Sequence, residues 1–344
     1  MTDGERRLEA PHRRGGTSPR IVERSAVLGY RAMSWLLRTL PAGPTGAVLG
    51  LGSQGSYLLW PKKRAWSNQN FGHVLGLPPD DPRVRRLALR AYREYGRYLV
   101  EIMRVPFMPQ DQVMALIEPL DPVEIQAIRD ASPTGGLIVT VAHIGNNDLI
   151  GAAIAHLGLP LNVVADDSSF PELFEYLRGQ REQWHAKLIP WRNLRAIFSV
   201  LRRHELLGLL VDWGYRSDGI PVQLFGAWTA LPAGPATLAA KTSSRILPLI
   251  TSRQPDGRLR VAFGEMIVVA STEPAELQRA TQAIADALAE SIRPAPEQWY
   301  SFKPIWPETA AESADLERRA RAMQAGQPDP GPGPGPGPTS GDPA

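Results

Sequence analysis

The stretch GLIVTVAHIGNND, residues 136–148, passes from an unbroken apolar run into a polar turn and then a helix start. LIVTVA at 137–142 has the length and β-branched content of a strand, and glycines bound it on one side. Asn146 and Asn147 are residue types that cap helices, and Asp148 suits a first helical turn, so a helix NNDLIGAAIAHLG follows. His143 then stands at the carboxyl end of the strand, and Gly145 permits a tight turn or the close approach of a substrate.

Outward from this unit the alternation continues. Strands are expected at LNVVA (161–165), KLIP (187–190), LLGLLVD (206–212) and RILPLIT (245–251), with helices at 170–184, 192–203 and 235–244 between them. Two further strands, RLRVAFG (258–264) and EMIVVA (265–270), precede a last long helix at 273–293, and only the turn QPDG separates RILPLIT from the first of them. The expected fold is therefore α/β, with a mixed, mostly parallel central sheet flanked by helices. Upstream, Pro82 opens an amphipathic helix that buries Val84, Leu87 and Ala91 and turns a run of arginines elsewhere. The region 211–242 reads as a constrained loop of glycines and prolines next to a strand end, fit for one wall of a pocket or for a plain crossover.

In wound α/β sheets, ligands gather at the carboxyl ends of strands, where the next helix offers free N–H groups. A carboxylate on Asp148 there can accept from one imidazole nitrogen of His143 and leave the other to take a proton from a hydroxyl. The bland alternative is a capped helix with a packed histidine and an aspartate that complements the dipole. Other chemistries find less support. The 344 residues contain no cysteine, which removes thiolate nucleophiles and thiolate metal sites. GLGSQG at 50–55 fits G-x-G-x-x-G, but no strand precedes it and a packed or lipid-facing helix explains its glycines better. The remaining histidines are scattered without metal-ligand spacing, so no metal is expected.

The formal charge is only +3, but arginines crowd 1–24 and 83–97, faces that suit either phosphates or solvent. No secretory signal pattern is evident. Residues 26–60 mix apolar side chains with Arg31 and Arg38, and their uncharged part is rich in glycine and serine. That composition suits an in-plane membrane anchor, with Trp35, Tyr57 and Trp60 at headgroup depth and Lys62, Lys63 and Arg64 beyond; a buried helical hairpin is the competing reading. Four regions are expected: a disordered basic N-terminus (1–24), an N-terminal helical membrane-associating segment (25–64), an α/β domain (65–322) and a disordered Pro/Gly-rich tail (323–344).

Several stretches together resemble one family. HIGNND, the segment GIPVQLFGAWTALPAGPATLA (219–239), IRPAPEQWY (292–300), NQNFGHVLG (68–76) and the tyrosine-rich helix ending EIMRVP resemble the bacterial lipid acyltransferases that include lipid A late acyltransferases and phosphatidylinositol mannoside acyltransferases. The resemblance implies transfer of an acyl group from acyl-CoA or acyl carrier protein, as co-substrate rather than cofactor, to a hydroxyl of a membrane lipid or glycolipid. It places the protein on the cytoplasmic face of the inner membrane, peripheral or monotopic, with no nucleic-acid partner. His143 is then the general base and Asp148 its orienter, while Gly145, Asn146 and Asn147 shape the turn and hold the oxyanion. Asp166, Arg181 and Asp212 fall at acceptor positions, and Gly226, Pro232 and Gly234 belong to the loop that walls the site. This chain departs from the family pattern in having Asn147 where a Trp is usual, Asp166 followed by Asp167 where an Arg is common, and D-W-G around Asp212, which leaves the acceptor open. A lipid-binding protein without activity and an acyl-thioester hydrolase are the alternatives.

Overall fold

The computed structural model describes residues 17–130, 136–167 and 170–333; most of the basic N-terminus and the GPGPGPG end of the tail lie outside the described residues. Six helices come first: α1 (Thr17–Thr39), α2 (Ala42–Leu59), α3 (Pro61–Leu75), α4 (Pro82–Arg104), α5 (Gln110–Ala115) and α6 (Pro122–Asp130). Alternation follows as β1 (Leu137–Val141), α7 (Asn147–His156), β2 (Leu161–Ala165), α8 (Pro171–Glu182), β3 (Lys187–Pro190), α9 (Leu194–Arg202) and β4 (Leu206–Leu210). The chain closes with β5 (Ile220–Leu224), β6 (Ala227–Leu231), α10 (Gly234–Thr242), β7 (Arg245–Arg253), β8 (Leu259–Phe263), α11 (Pro274–Ile292) and α12 (Ala310–Gln324).

The main sheet has the order β3-β2-β4-β1-β7-β8, parallel except for β8, as expected of a mixed, mostly parallel sheet. β1 is buried along its whole length, and its alternate side chains feed two cores. Ile138 packs into the layer built with α9, α10 and α11, while Leu137, Val139 and Val141 pack into the layer that contains Leu149, Ile150 and Ala153 of α7. The crossover after β1 leads toward β2, whereas the chain after β4 returns on the other side of β1 to β7. The crevice between the carboxyl ends of β1 and β4 is thus the topological switch point where such sheets take ligands.

Two strand expectations need correction. The supposed loop contains the β5–β6 hairpin, whose turn residues Phe225 and Gly226 both have positive φ (51° and 76°), the geometry of a tight primed turn. EMIVVA forms only the bridge Ile246–Ile267, because Pro248 of β7 lacks the N–H that would continue the ladder past Gly264.

α2 lies on α4, and the contact explains the first glycine of GLGSQG, Gly50, but not Gly52 or Gly55. A Cβ on Gly96 would stand 2.2 Å from the nitrogen of Gly50, so the two backbones touch; a Cβ on Gly52 would meet nothing within 4 Å. Replacing Gly96 by Val should separate the helices and cost about 3 kcal/mol, lowering the melting temperature by roughly 6–12 °C. Gly52→Ala should leave the melting temperature unchanged or raise it slightly, through helix propensity. Equal thermal denaturation curves for the two variants would contradict this account of the packing.

Tyr57, expected at headgroup depth, is instead buried and donates to Asn68 Oδ1 at 2.9 Å. Trp35 and Trp60 are exposed, together with Leu28, Leu36, Val48, Leu51 and Leu59 on α1 and α2. No helix among the described residues is long and apolar enough to cross a membrane. α1 begins at Thr17, and the chain after α12 folds back so that Asp329 pairs with Arg319 at 2.6 Å. Arg319 is 1% exposed and also donates to Gly219 O at 2.8 Å, so a counter-charge from the tail is what makes its burial tolerable.

Candidate active site

Register builds the centre of the site. β1 and β4 pair in parallel with Val141 opposite Leu210, so residues two places beyond each strand, His143 and Asp212, emerge side by side. The imidazole Nδ1 of His143 donates to Asp212 Oδ1 at 2.6 Å, and the His143 amide N–H donates to the same carboxylate at 2.9 and 3.1 Å. Trp299 Nε1 adds a bond to Oδ2 at 2.7 Å. Burial pushes the Asp212 carboxyl up, but the His143 ring beside it and these hydrogen bonds outweigh that effect and hold it below the usual carboxylate range. An ionised carboxylate can only accept, so Nδ1 carries a proton, and in the neutral ring it is Nε2 that has the lone pair. The histidine side chain is 22% exposed, whereas that of the aspartate is fully covered.

This corrects the expectation for both aspartates. Asp148 does not hold Nδ1; Arg181 takes its carboxylate, through Nη2 at 2.6 Å and Nε at 2.8 Å. Its place in the first turn of α7 explains the difference, because that carboxylate faces the end of α8. Tyr30 and Tyr98 stand close to the pair. Burial pushes the Tyr30 hydroxyl up to about 12, with Asp148 adding to the rise and Arg181 opposing it, and Tyr98 is driven up by the same combination, burial first. Asp212, expected at an acceptor rim, is only 2% exposed and lies beneath the imidazole.

The turn between His143 and α7 is braced from three sides. Gly145, at φ 65°, takes a left-handed conformation that a side chain would strain, and its N–H donates to Gln298 O at 3.1 Å. That N–H is therefore not available to an oxyanion. Ile144 bridges Trp299 and the Tyr300 N–H donates to His143 O at 2.8 Å, so 143–145 runs antiparallel to Gln298–Tyr300 of the PEQWY motif. Asn146 caps α7 by accepting from the Leu149 N–H at 3.0 Å and donates to Glu101 Oε2 at 2.9 Å; Asn147 donates to Ala142 O at 2.9 Å. The helix cap is the one the bland reading expects, while the carboxylate on the imidazole comes from Asp212 rather than from Asp148.

Of the other expected residues, Asp166 follows β2 and acts electrostatically on Lys303. Gly226 shapes the β5–β6 turn, while Pro232 and Gly234 are exposed at the entry to α10. Three side chains carry more than sequence reasoning gave them. Trp299 lies in the PEQWY motif noted above, yet its bond to Asp212 spans 87 positions. Asn70, in NQNFGHVLG, is fully buried and donates to Ser301 O at 3.0 Å and Lys303 O at 2.7 Å. Trp213 sets its ring 5.2 Å from the imidazole.

A profile of the bacterial lipid A biosynthesis acyltransferases matches residues 24–308. The phosphatidylinositol mannoside acyltransferase of Mycolicibacterium smegmatis is 29% identical over 301 residues, covering 86% of this chain and 94% of that protein. Its namesake from Mycobacterium tuberculosis is 27% identical over 269 residues, covering 74% of this chain and 80% of the relative.

Proposed function

Since the chain belongs to the bacterial lipid A biosynthesis acyltransferase family, we propose that it moves a fatty acyl group from an acyl thioester, on CoA or on acyl carrier protein, to a hydroxyl of a lipid or glycolipid. The observation that carries this reading is the partly exposed imidazole of His143 with its Nδ1 proton held by buried Asp212. The free Nε2 takes the proton of the acceptor hydroxyl as that oxygen attacks the thioester carbonyl. A tetrahedral oxyanion forms, and the N–H groups of Asn147 and Asp148, which open α7 and lack helical acceptors, stabilise it together with the helix dipole. Collapse breaks the C–S bond, and the imidazolium returns its proton to the departing thiolate. Asp212 stabilises the imidazolium in between. The Asp148–Arg181 pair fixes the start of α7 against α8, so that the N–H groups stay in place.

The acceptor is at a membrane surface in this reading. The exposed apolar faces of α1 and α2 lie in the plane of the inner membrane on its cytoplasmic side, with Lys62 and Lys63 stacked over Trp66 and Trp60 beside them. Purified protein, palmitoyl-CoA or palmitoyl carrier protein, and vesicles that contain a mannosylated phosphatidylinositol provide the test. Acylated glycolipid is the expected product. Free fatty acid without lipid product would identify a hydrolase, and no turnover of either donor would leave a lipid-binding protein.

A further inference from the structure

One carboxylate ties the helices before the sheet to the turn that opens α7. Glu101 stands near the end of α4, and its Oε2 accepts from Asn146 Nδ2 at 2.9 Å and from Arg253 Nη2, while its Oε1 accepts from Arg97 Nε at 3.0 Å. Arg253, the last residue of β7, is the hub of a closed circuit. Its amide N–H donates to Gln298 Oε1 at 2.6 Å, its carbonyl accepts from Gln298 Nε2 at 2.9 Å, and the Gln298 carbonyl accepts from the Gly145 N–H at 3.1 Å. Gly145 and Asn146 are thus fastened to one arginine by two separate routes. The side chain of that arginine is 5% exposed and that of Glu101 16%. A buried ion pair of this kind is a weak source of stability, since apolar residues of the same volume often serve as well, so stability alone does not account for it.

The residue type at 146 points to a second role. A helix cap needs only an acceptor, and serine, threonine or aspartate would provide one. Asparagine also donates, and Asn146 uses both functions: Oδ1 accepts from the Leu149 N–H at 3.0 Å while Nδ2 reaches Glu101. Because a carboxylate offers no hydrogen, it fixes which way the amide faces. Asn146 is 0% exposed, so no solvent replaces Glu101 as acceptor, and without that carboxylate the amide is free to swing. We propose that Glu101, locked by Arg253, is a positioning residue for acyl transfer: through Asn146 it holds the N–H groups of Asn147 and Asp148 on the developing oxyanion. A misplacement of about 1 Å in such donors can cost about 10²-fold in rate. The inference rests on the acyl-transfer reading, and adds to it a residue from the helical region that precedes the sheet.

The test uses the full chain on vesicles that contain a mannosylated phosphatidylinositol, with palmitoyl-CoA or palmitoyl carrier protein, whichever the wild type uses. Asn146→Ser keeps a capping oxygen and breaks the link to Glu101, whereas Glu101→Leu with Arg253→Met replaces the ion pair by apolar side chains. Each should lower kcat by about 10²-fold and leave the KM of both substrates and the melting temperature near the wild-type values. Combining all three substitutions should lower kcat no further, because all of them cut one link. Glu101→Gln, which keeps an oxygen for Asn146 Nδ2 but not the charge, should stay within about tenfold of the wild type. Unchanged kcat in Asn146→Ser, a raised KM with kcat retained, additive losses, a Glu101→Gln as slow as the apolar variant, or kcat losses that follow the melting temperature would each overturn the proposal. If the wild-type chain transfers no acyl group, the acyl-transfer reading fails on its own, and amide NMR decides the positioning. In Glu101→Leu with Arg253→Met, which alters no residue of the turn, the Asn147 and Asp148 N–H signals should shift; signals that stay in place would overturn it.

Discussion

His143→Ala should lower acyl transfer by about 10²–10⁴-fold, the range that a positioned general base supplies. The substitution removes Nε2, whose lone pair is directed by a buried carboxylate on the opposite nitrogen. It leaves the architecture intact, because the segment 143–145 is held by backbone bonds to Gln298 and Tyr300 and by the amide bond to Asp212. Asp212 loses one partner but keeps Trp299 and the amide of residue 143, so the loss of stability should stay near about 1–2 kcal/mol. Circular dichroism separates the two effects: an unaltered spectrum with abolished transfer is the expected pair of results, and unchanged transfer would remove His143 from the reaction.

Asp212→Asn should reduce transfer by about 10³–10⁴-fold although its size is unchanged, because an amide placed against Nδ1 can donate to it. Donation reverses the imidazole, moving the proton to Nε2 and removing the lone pair that the acceptor hydroxyl needs. The same substitution should alter acid stability. The folded-state carboxyl of Asp212 lies below its unfolded value of 3.8, so its contribution is complete above that value and is lost as pH falls through the lower folded value. Between about pH 5 and pH 2 the wild type should therefore lose stability more steeply than Asp212→Asn, read as urea midpoints at a series of pH values. Parallel pH dependences would contradict the direction assigned to this carboxyl.

What could be read without coordinates was local. The strand at 137–141 is buried throughout, and such strands announce themselves as apolar runs; the cap at Asn146 uses residue types that have little other reason to stand together. HIGNND was legible as a strand end handing over to a helix for the same reason. The partner of His143 was not, because short spacing draws attention to Asp148, whereas the parallel register of β1 and β4 sets the contact with Asp212 across 69 positions. The β5–β6 hairpin was missed since Pro221 and the glycines at 219 and 226 read as loop punctuation, and Phe225 is an uncommon occupant of a positive-φ turn position. Trp213 carried no periodic signal at all. Its position follows from a clamp between two segments distant in the chain, made by Tyr215, Pro304 and the buried Asn70.

The central claim is that Asp212, not Asp148, fixes the proton on Nδ1 of His143. Nitrogen-15 NMR of protein labelled at histidine reads this directly, with the His143 signal assigned by its absence from His143→Ala. The wild type and Asp148→Asn should both show the Nδ1–H tautomer, and Asp212→Asn should shift His143 to Nε2–H. A tautomer that survives Asp212→Asn, or one that changes in Asp148→Asn instead, would contradict the account.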